Sequence, residues 1–187
     1  MNWPNRLTIL RVILIPFFVV CLMLDKGDGV LRYMALGIFI VASLTDTLDG
    51  YIARKYDLVS NFGKFMDPLA DKLLVCSAMI CFIELGKMPS WVVLIIIARE
   101  FIISGFRLIA SDNGLVIAAS WWGKSKTIVQ MVMIIGLLLD LGTIFTSMAG
   151  IVHIIEQVLI YLALALTVIS LVDYIVKNRK VLSDGVK

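Results

Sequence analysis

The sequence predicts an all-α integral membrane domain: six transmembrane helices with a short N-terminal interfacial segment and both termini cytoplasmic. Three observations carry that expectation. Of 187 residues, 60% are hydrophobic and only 17% charged, with a mean hydropathy of +0.98. Soluble domains run near half apolar and a quarter charged. The apolar residues gather into stretches close to the roughly 20 residues that a span requires. The charged residues gather in the breaks, with Lys and Arg shared unevenly between the two sides. The length suits a single domain over residues 1–187.

The spans are expected at about 7–24, 31–50, 65–86, 89–110, 126–142 and 149–176. Residues 1–6 read as the interfacial segment. Arg6 and Arg11 precede an apolar run, but no small-residue cleavage site follows Leu24 and further spans come after it. The first span therefore reads as retained rather than as a signal peptide. Asp25-Lys26-Gly27-Asp28-Gly29 is a turn by composition, and in Gly86-Lys87-Met88-Pro89 the proline suits a helix start. Pro68 leaves open whether the third helix begins before or after it. The last stretch is long enough to tilt or to protrude from a bilayer.

Orientation follows from the cations. One set of segments carries Arg6, Arg11, Arg54, Lys55, Lys64, Lys124, Lys126, Lys177, Arg179, Lys180 and Lys187. The opposite set carries Lys26, Arg32 and Lys87. The richer set is expected to face the cytoplasm, which brings the breaks near 50–65 and 111–125 to the same side. Trp3, Trp91, Trp121 and Trp122 fall near span ends, as interfacial anchors do.

Several classes are excluded. A net charge of +3, with no basic run interleaved with aromatics, argues against nucleic acid as a partner. Cys21, Cys76 and Cys81 lie in apolar stretches at spacings that fit no zinc or haem pattern, and read as small buried hydrophobes. No internal repeat of the transporter kind is visible.

The most informative stretch is Asp46-x2-Asp49-Gly50-x2-Ala53-Arg54-x8-Gly63-x3-Asp67-x3-Asp71. Carboxylates at a membrane boundary are costly and mark function. On helices, Asp46 and Asp49 are neighbours at i,i+3, and Asp67 and Asp71 at i,i+4. Two facing carboxylate pairs suit two hard cations, which prefer oxygen ligands and leave positions for phosphates. Paired metals can clamp an in-line displacement. Gly50 and Ala53 leave room for a substrate to approach, and Arg54 can grip a phosphate bidentately. The helix dipole accounts for an acid near a helix start, as at Asp67, but not for Asp46 and Asp49 near a helix end.

This frame resembles the CDP-alcohol phosphatidyltransferase signature at every fixed position, including the eight-residue spacer. The signature covers residues 46–71, and the predicted spans extend the similarity along the chain. The resemblance implies that a CDP-linked lipid or alcohol loses CMP as its phosphoryl group passes to an acceptor. It implies two Mg²⁺ or Mn²⁺ ions per active site, held by Asp46, Asp49, Asp67 and Asp71. Asp71 is implied as the catalytic base that activates the acceptor hydroxyl; a ligand role alone is the alternative. Asn5, Thr8, Gly50, Ala53, Arg54 and Gly63 are implied on the CDP-lipid side. A homodimer in a bacterial inner (cytoplasmic) membrane is also implied, with the active site facing the cytoplasm.

The signature does not name the acceptor. Asn5-x-Leu7-Thr8-x2-Arg11, Ala98-Arg99-Glu100, Arg107 and Gly123-Lys124-Ser125-Lys126-Thr127-x2-Gln130 resemble the family branch that uses CDP-diacylglycerol and glycerol 3-phosphate. Glycerol 3-phosphate is a dianion and calls for several cations. The candidates are Arg99, Arg107, Lys124 and Lys126, with Arg99 and Arg107 expected on roughly one helical face. For Arg99 a structural ion pair stands beside substrate contact. For Lys124 and Lys126 the alternative is positive-inside charge alone. Glu100 is expected to find its partner on another span. His153, Asp140 and Glu156 receive no role. Two rival readings stay open: another acceptor (phosphatidylglycerol, serine or inositol phosphate), or a divalent-cation transporter. The transporter leaves Gly50, Arg54 and the spacer unexplained.

Overall fold

In a computed structural model, the chain is described over residues 3–25, 27, 29–55, 61–112 and 120–179. Side chains within 3–6, 46–55, 61–65, 67–68, 109 and 111–112 lie outside that description. Among the described residues the structure is entirely helical: α1 (Trp3–Met23), α2 (Val30–Lys55), α3 (Asn61–Glu84), α4 (Ser90–Asp112), α5 (Trp121–Leu139), the short α6 (Leu141–Ile144), a single 3₁₀ turn (Thr146–Met148) and α7 (Ala149–Lys177). Two compact units are formed, Met1–Lys87 and Met88–Lys187.

In the first unit α1 packs on both α2 and α3, and α2 packs on α3. The inward face of α1 is the 3-4 stripe Thr8, Arg11, Ile15, Phe18 and Leu22, all buried. On α2 the stripe is Arg32, Ala35, Phe39 and Ala42. The two meet where the Phe18 and Phe39 rings lie 5.9 Å apart. The turn between them uses Gly27 (φ 97°) and Gly29 (φ 78°), conformations that glycine adopts without penalty. Beyond that turn, Arg32 Nε lies 3.6 Å from Asp25 Oδ2.

The end of α3 is a Schellman cap. Gly86 sits at φ 67°, its N–H donates to the Ile83 carbonyl at 3.0 Å, and the Lys87 N–H donates to the Phe82 carbonyl at 2.8 Å.

In the second unit α7 packs on α4, α5 and α6. Its inward stripe is Ile160, Ala163, Thr167, Ser170 and Tyr174. That of α5 is Lys126, Gln130, Met133, Ile134, Leu137 and Leu138. The Pro89 carbonyl accepts from the N–H of Val92 and of Val93, so the proline marks the start of α4 as expected. Ser120 caps α5 by accepting from the Gly123 N–H at 3.2 Å. Asp140 ends α5 in the left-handed conformation, φ 49°, one that Asp tolerates better than most residues.

The polarity is inverted relative to a soluble fold. Thr8, Arg11, Arg99, Lys126, Gln130, Thr167 and Ser170 are buried, while Leu94, Phe101, Ile128, Ile154, Val158 and Val172 are exposed. An apolar exterior over a partly polar interior is what lipid as solvent favours. Trp121–Ile144 and Thr146–Lys177 are long and apolar enough to cross a membrane, and Leu7–Met23 and Val30–Thr45 are shorter apolar stretches. These features are consistent with a membrane protein of six long helices.

Four details depart from the sequence expectation or complete it. No break follows Arg6: α1 begins at Trp3, so residues 3–6 continue the first helix instead of forming a separate interfacial piece. The second helix runs on to Lys55 and carries the glycine and arginine of the motif within it. The third begins at Asn61, before Pro68. The fifth begins at Trp121 and stops at Leu139, because Ser120 and Asp140 supply the caps.

Candidate active site

The four aspartates fall on two packed helices of one unit. Asp46, Asp49, Gly50, Ala53 and Arg54 lie on α2 and Gly63, Asp67 and Asp71 on α3, and the two helices pack together. The buried stripe of α2, at 32, 35, 39 and 42, continues in the same 3-4 spacing to 46 and 49. On α3 the buried Leu74 and Ala78 share a face with positions 71 and 67 by the same rule. By spacing along the helices, the positions of both pairs continue those two stripes. Asp71 is half-buried. The side chains of Asn5, Asp46, Asp49, Ala53, Arg54 and Asp67 lie outside the described residues. Among the described residues no group of three or more His, Cys, Asp or Glu is placed to hold a metal ion.

Asn5 and Thr8 lie on α1, with Thr8 fully buried. Arg11, one turn further, is 1% exposed. It stands seven residues from Phe18, and Asp46 stands seven from Phe39. With those rings in contact, helical rise carries Arg11 and Asp46 to about the same level, roughly 10 Å from the ring pair. Sequence reasoning quoted Arg11 without assigning it a role. The signal was there: a cation inside the apolar 3-4 stripe of the first helix.

The second unit contains a buried polar cluster. Arg99 donates from Nε to Ser170 Oγ at 3.0 Å and from Nη2 to the same oxygen at 2.5 Å. Its Nη1 lies 3.5 Å from Glu100 Oε1. The same carboxylate oxygen is ion-paired with Lys126 Nζ. The side chains of Lys126, Arg99 and Glu100 are 2%, 9% and 17% exposed. A Cβ added at Gly123 would sit 3.6 Å from Arg99 Nη2, so the first turn of α5 lies against the guanidinium. One turn beyond Ser170, Tyr174 is buried. Its hydroxyl has no hydrogen-bond partner among the described residues.

These contacts bear on the alternatives left by sequence. Lys126 is no solvated positive-inside charge, because it is buried and paired across to α4. Arg99 does have the structural partners that a mid-helix charge requires. The partner of Glu100 lies on another helix, as expected. The common face of Arg99 and Arg107 does not hold: eight residues advance a helix about 80° beyond whole turns, and Arg107 is exposed where Arg99 is buried. Lys124 is also exposed. Ser170 and Tyr174 were missed, because only the 3-4 spacing 160, 163, 167, 170, 174 marks them as inward-facing. Glu156 is half-buried, and its Oε1 finds no hydrogen-bond partner among the described residues. His153 is exposed.

The family model described as CDP-alcohol phosphatidyltransferase matches residues 1–169, which spans both units. The chain belongs to the CDP-alcohol phosphatidyltransferase family. As a family member it is a transferase. Similar curated proteins include a CDP-diacylglycerol–glycerol-3-phosphate 3-phosphatidyltransferase of Bacillus subtilis, 45% identical over 148 residues, covering 74% of this chain and 77% of that one. The enzyme of the same name from Haemophilus influenzae is 38% identical over the whole of this chain and 98% of its own. A protein of Mycobacterium tuberculosis described as a probable phosphatidylglycerophosphate synthase is 40% identical over 94% of this chain and 81% of its own.

Proposed function

We propose that this phosphatidyltransferase moves the phosphatidyl group of CDP-diacylglycerol to glycerol 3-phosphate, giving phosphatidylglycerophosphate and CMP. The observation that carries the reading is the aspartate frame falling on two helices, α2 and α3, that pack together. The names of the Bacillus subtilis and Haemophilus influenzae relatives support this acceptor, as does a buried cluster that holds two cations.

Asp46, Asp49, Asp67 and Asp71 are all oxygen donors, the ligand class that Mg²⁺ and Mn²⁺ prefer. When bound, two such ions supply neutralisation of the diphosphate charge and of the departing CMP. Gly50 and Ala53 let the nucleotide lipid approach the backbone of α2, and Gly63 does the same on α3. Arg54 pairs a phosphate oxygen, and Asn5 and Thr8 hold the CDP moiety from α1. Arg99, Arg107, Lys124 and Lys126 bind the phosphate of glycerol 3-phosphate. Asp71 takes the proton from the primary hydroxyl of glycerol 3-phosphate. That oxygen forms a bond to the phosphorus bearing the diacylglycerol, the bond from that phosphorus to the bridging oxygen breaks, and CMP leaves with the electron pair.

The protein works as a homodimer in a bacterial inner membrane, crossing six times, with both termini and the active site on the cytoplasmic side. The Lys and Arg distribution supports that orientation. The test is an acceptor panel. Purified protein is given CDP-diacylglycerol and Mg²⁺ or Mn²⁺, and CMP release is measured with glycerol 3-phosphate, phosphatidylglycerol, serine and inositol phosphate. Release with glycerol 3-phosphate alone is the expected result. Release with a different acceptor, and none with glycerol 3-phosphate, overturns the assignment.

A further inference from the structure

We propose that Glu100 is a positioning residue for acceptor recognition: its carboxylate holds Arg99 of α4 and Lys126 of α5 together as one preassembled site for a phosphate dianion. The inference rests on the reading of glycerol 3-phosphate as acceptor and names the group that builds its site.

Two cations buried side by side repel each other, more strongly at low effective dielectric than in water. A single carboxylate oxygen between them removes that penalty. Glu100 Oε1 is the shared partner of Arg99 Nη1 and Lys126 Nζ. Ser170 fixes the far edge of the guanidinium through Nε and Nη2. Glu100 therefore ties both cationic heads to one carboxylate inside the helix packing.

A guanidinium carries five N–H donors. Ser170 and Glu100 engage three of them, so Arg99 retains donors for a ligand. Independently, the Tyr174 hydroxyl is buried one turn along α7 with no hydrogen-bond partner among the described residues. A buried donor of this kind calls for a ligand or ordered water. A phosphate oxygen is the chemistry that matches a guanidinium, an ammonium and a phenol together. A neutral acceptor would gain nothing from the arrangement. By holding charge in place, Glu100 acts on acceptor affinity and not on the displacement itself.

The test uses the full-length protein in membranes or detergent with saturating CDP-diacylglycerol. In Glu100→Gln, which keeps the side-chain shape, the KM for glycerol 3-phosphate is expected to rise about tenfold. The kcat and the KM for CDP-diacylglycerol should stay within about twofold of wild type. A glycerol 3-phosphate KM within twofold of wild type overturns the proposal. The charge exchange Glu100→Lys/Lys126→Glu separates positioning from a mere helix clamp. It restores an ion pair between α4 and α5 but moves the cation to the other helix. Thermal stability near that of wild type with a still-elevated glycerol 3-phosphate KM is the expected outcome. Recovery of both to wild-type values would show a clamp only and would sink the idea. Where Glu100→Gln does not accumulate, the exchange alone decides. Wild-type protein that releases no CMP with glycerol 3-phosphate would overturn the acceptor reading itself. Wild-type release with unchanged constants in Glu100→Gln overturns only the role given to Glu100.

Discussion

The two units carry their charged residues in opposite ways. In the first, the acids of the motif are close in sequence, 46 to 71, and occupy two successive helices. In the second, the partners are far apart along the chain: Lys126 is 26 residues from Glu100, and Ser170 is 71 residues from Arg99. The first arrangement needs only helical periodicity along two successive helices. The second exists only once α4, α5 and α7 have packed. A local frame is legible from spacing alone, whereas the Arg99–Glu100–Lys126 cluster is built from tertiary contacts.

The largest effect that could break this contrast is at the motif. Asp49→Asn should lower CMP release on the order of 1,000-fold, as loss of a preorganised charged group does, without changing thermal unfolding. Near-normal turnover would mean that the frame is not the reaction centre. Next comes Lys126→Ala, which removes the buried ammonium from the Glu100 carboxylate and leaves it only the longer contact to Arg99. Breaking one side of a buried pair costs about 3–5 kcal/mol, so the melting temperature should fall. The KM for glycerol 3-phosphate should rise more than that for CDP-diacylglycerol, and a change confined to the nucleotide lipid would reverse the division of labour between the units. Ser170→Ala is milder. It removes a hydroxyl that accepts two N–H donors of Arg99, a loss of about 1–3 kcal/mol, and should give a smaller rise in the same KM. Smallest is Gly86→Ala, which forces a Cβ into a left-handed cap at φ 67°. It should cost about 1–2 kcal/mol, seen as a lower melting temperature with all kinetic constants unchanged.

Much of this was legible in the chain. The aspartate frame, the number of long helices and the turns at Gly27–Gly29 and Gly86–Pro89 follow from local rules: helical period, glycine freedom and the length of apolar runs. The extent of α2 to Lys55 was not legible, because polar motif residues read as a break although they stay helical. The partners of Arg99 and Glu100 were not legible either. A helix reveals which positions face inward, but nothing local says that Ser170 rather than Thr167 meets the guanidinium. Arg107 shows the same limit from the other side: equal charge on one helix does not mean an equal environment.

The buried cluster also has a consequence for how the chain is made. On the membrane reading, α4 enters the bilayer carrying Arg99 and Glu100 near its middle, where an arginine alone is unfavourable by about 2.5–3.5 kcal/mol. Lys126 emerges only with the next helix and Ser170 only with the last. α4 is therefore a poor lodger in lipid by itself, and its commitment to the bilayer is completed by segments synthesised after it. Truncation between α5 and α7 should leave a product less well retained in the membrane, measured as its share in the membrane fraction against that of the full chain.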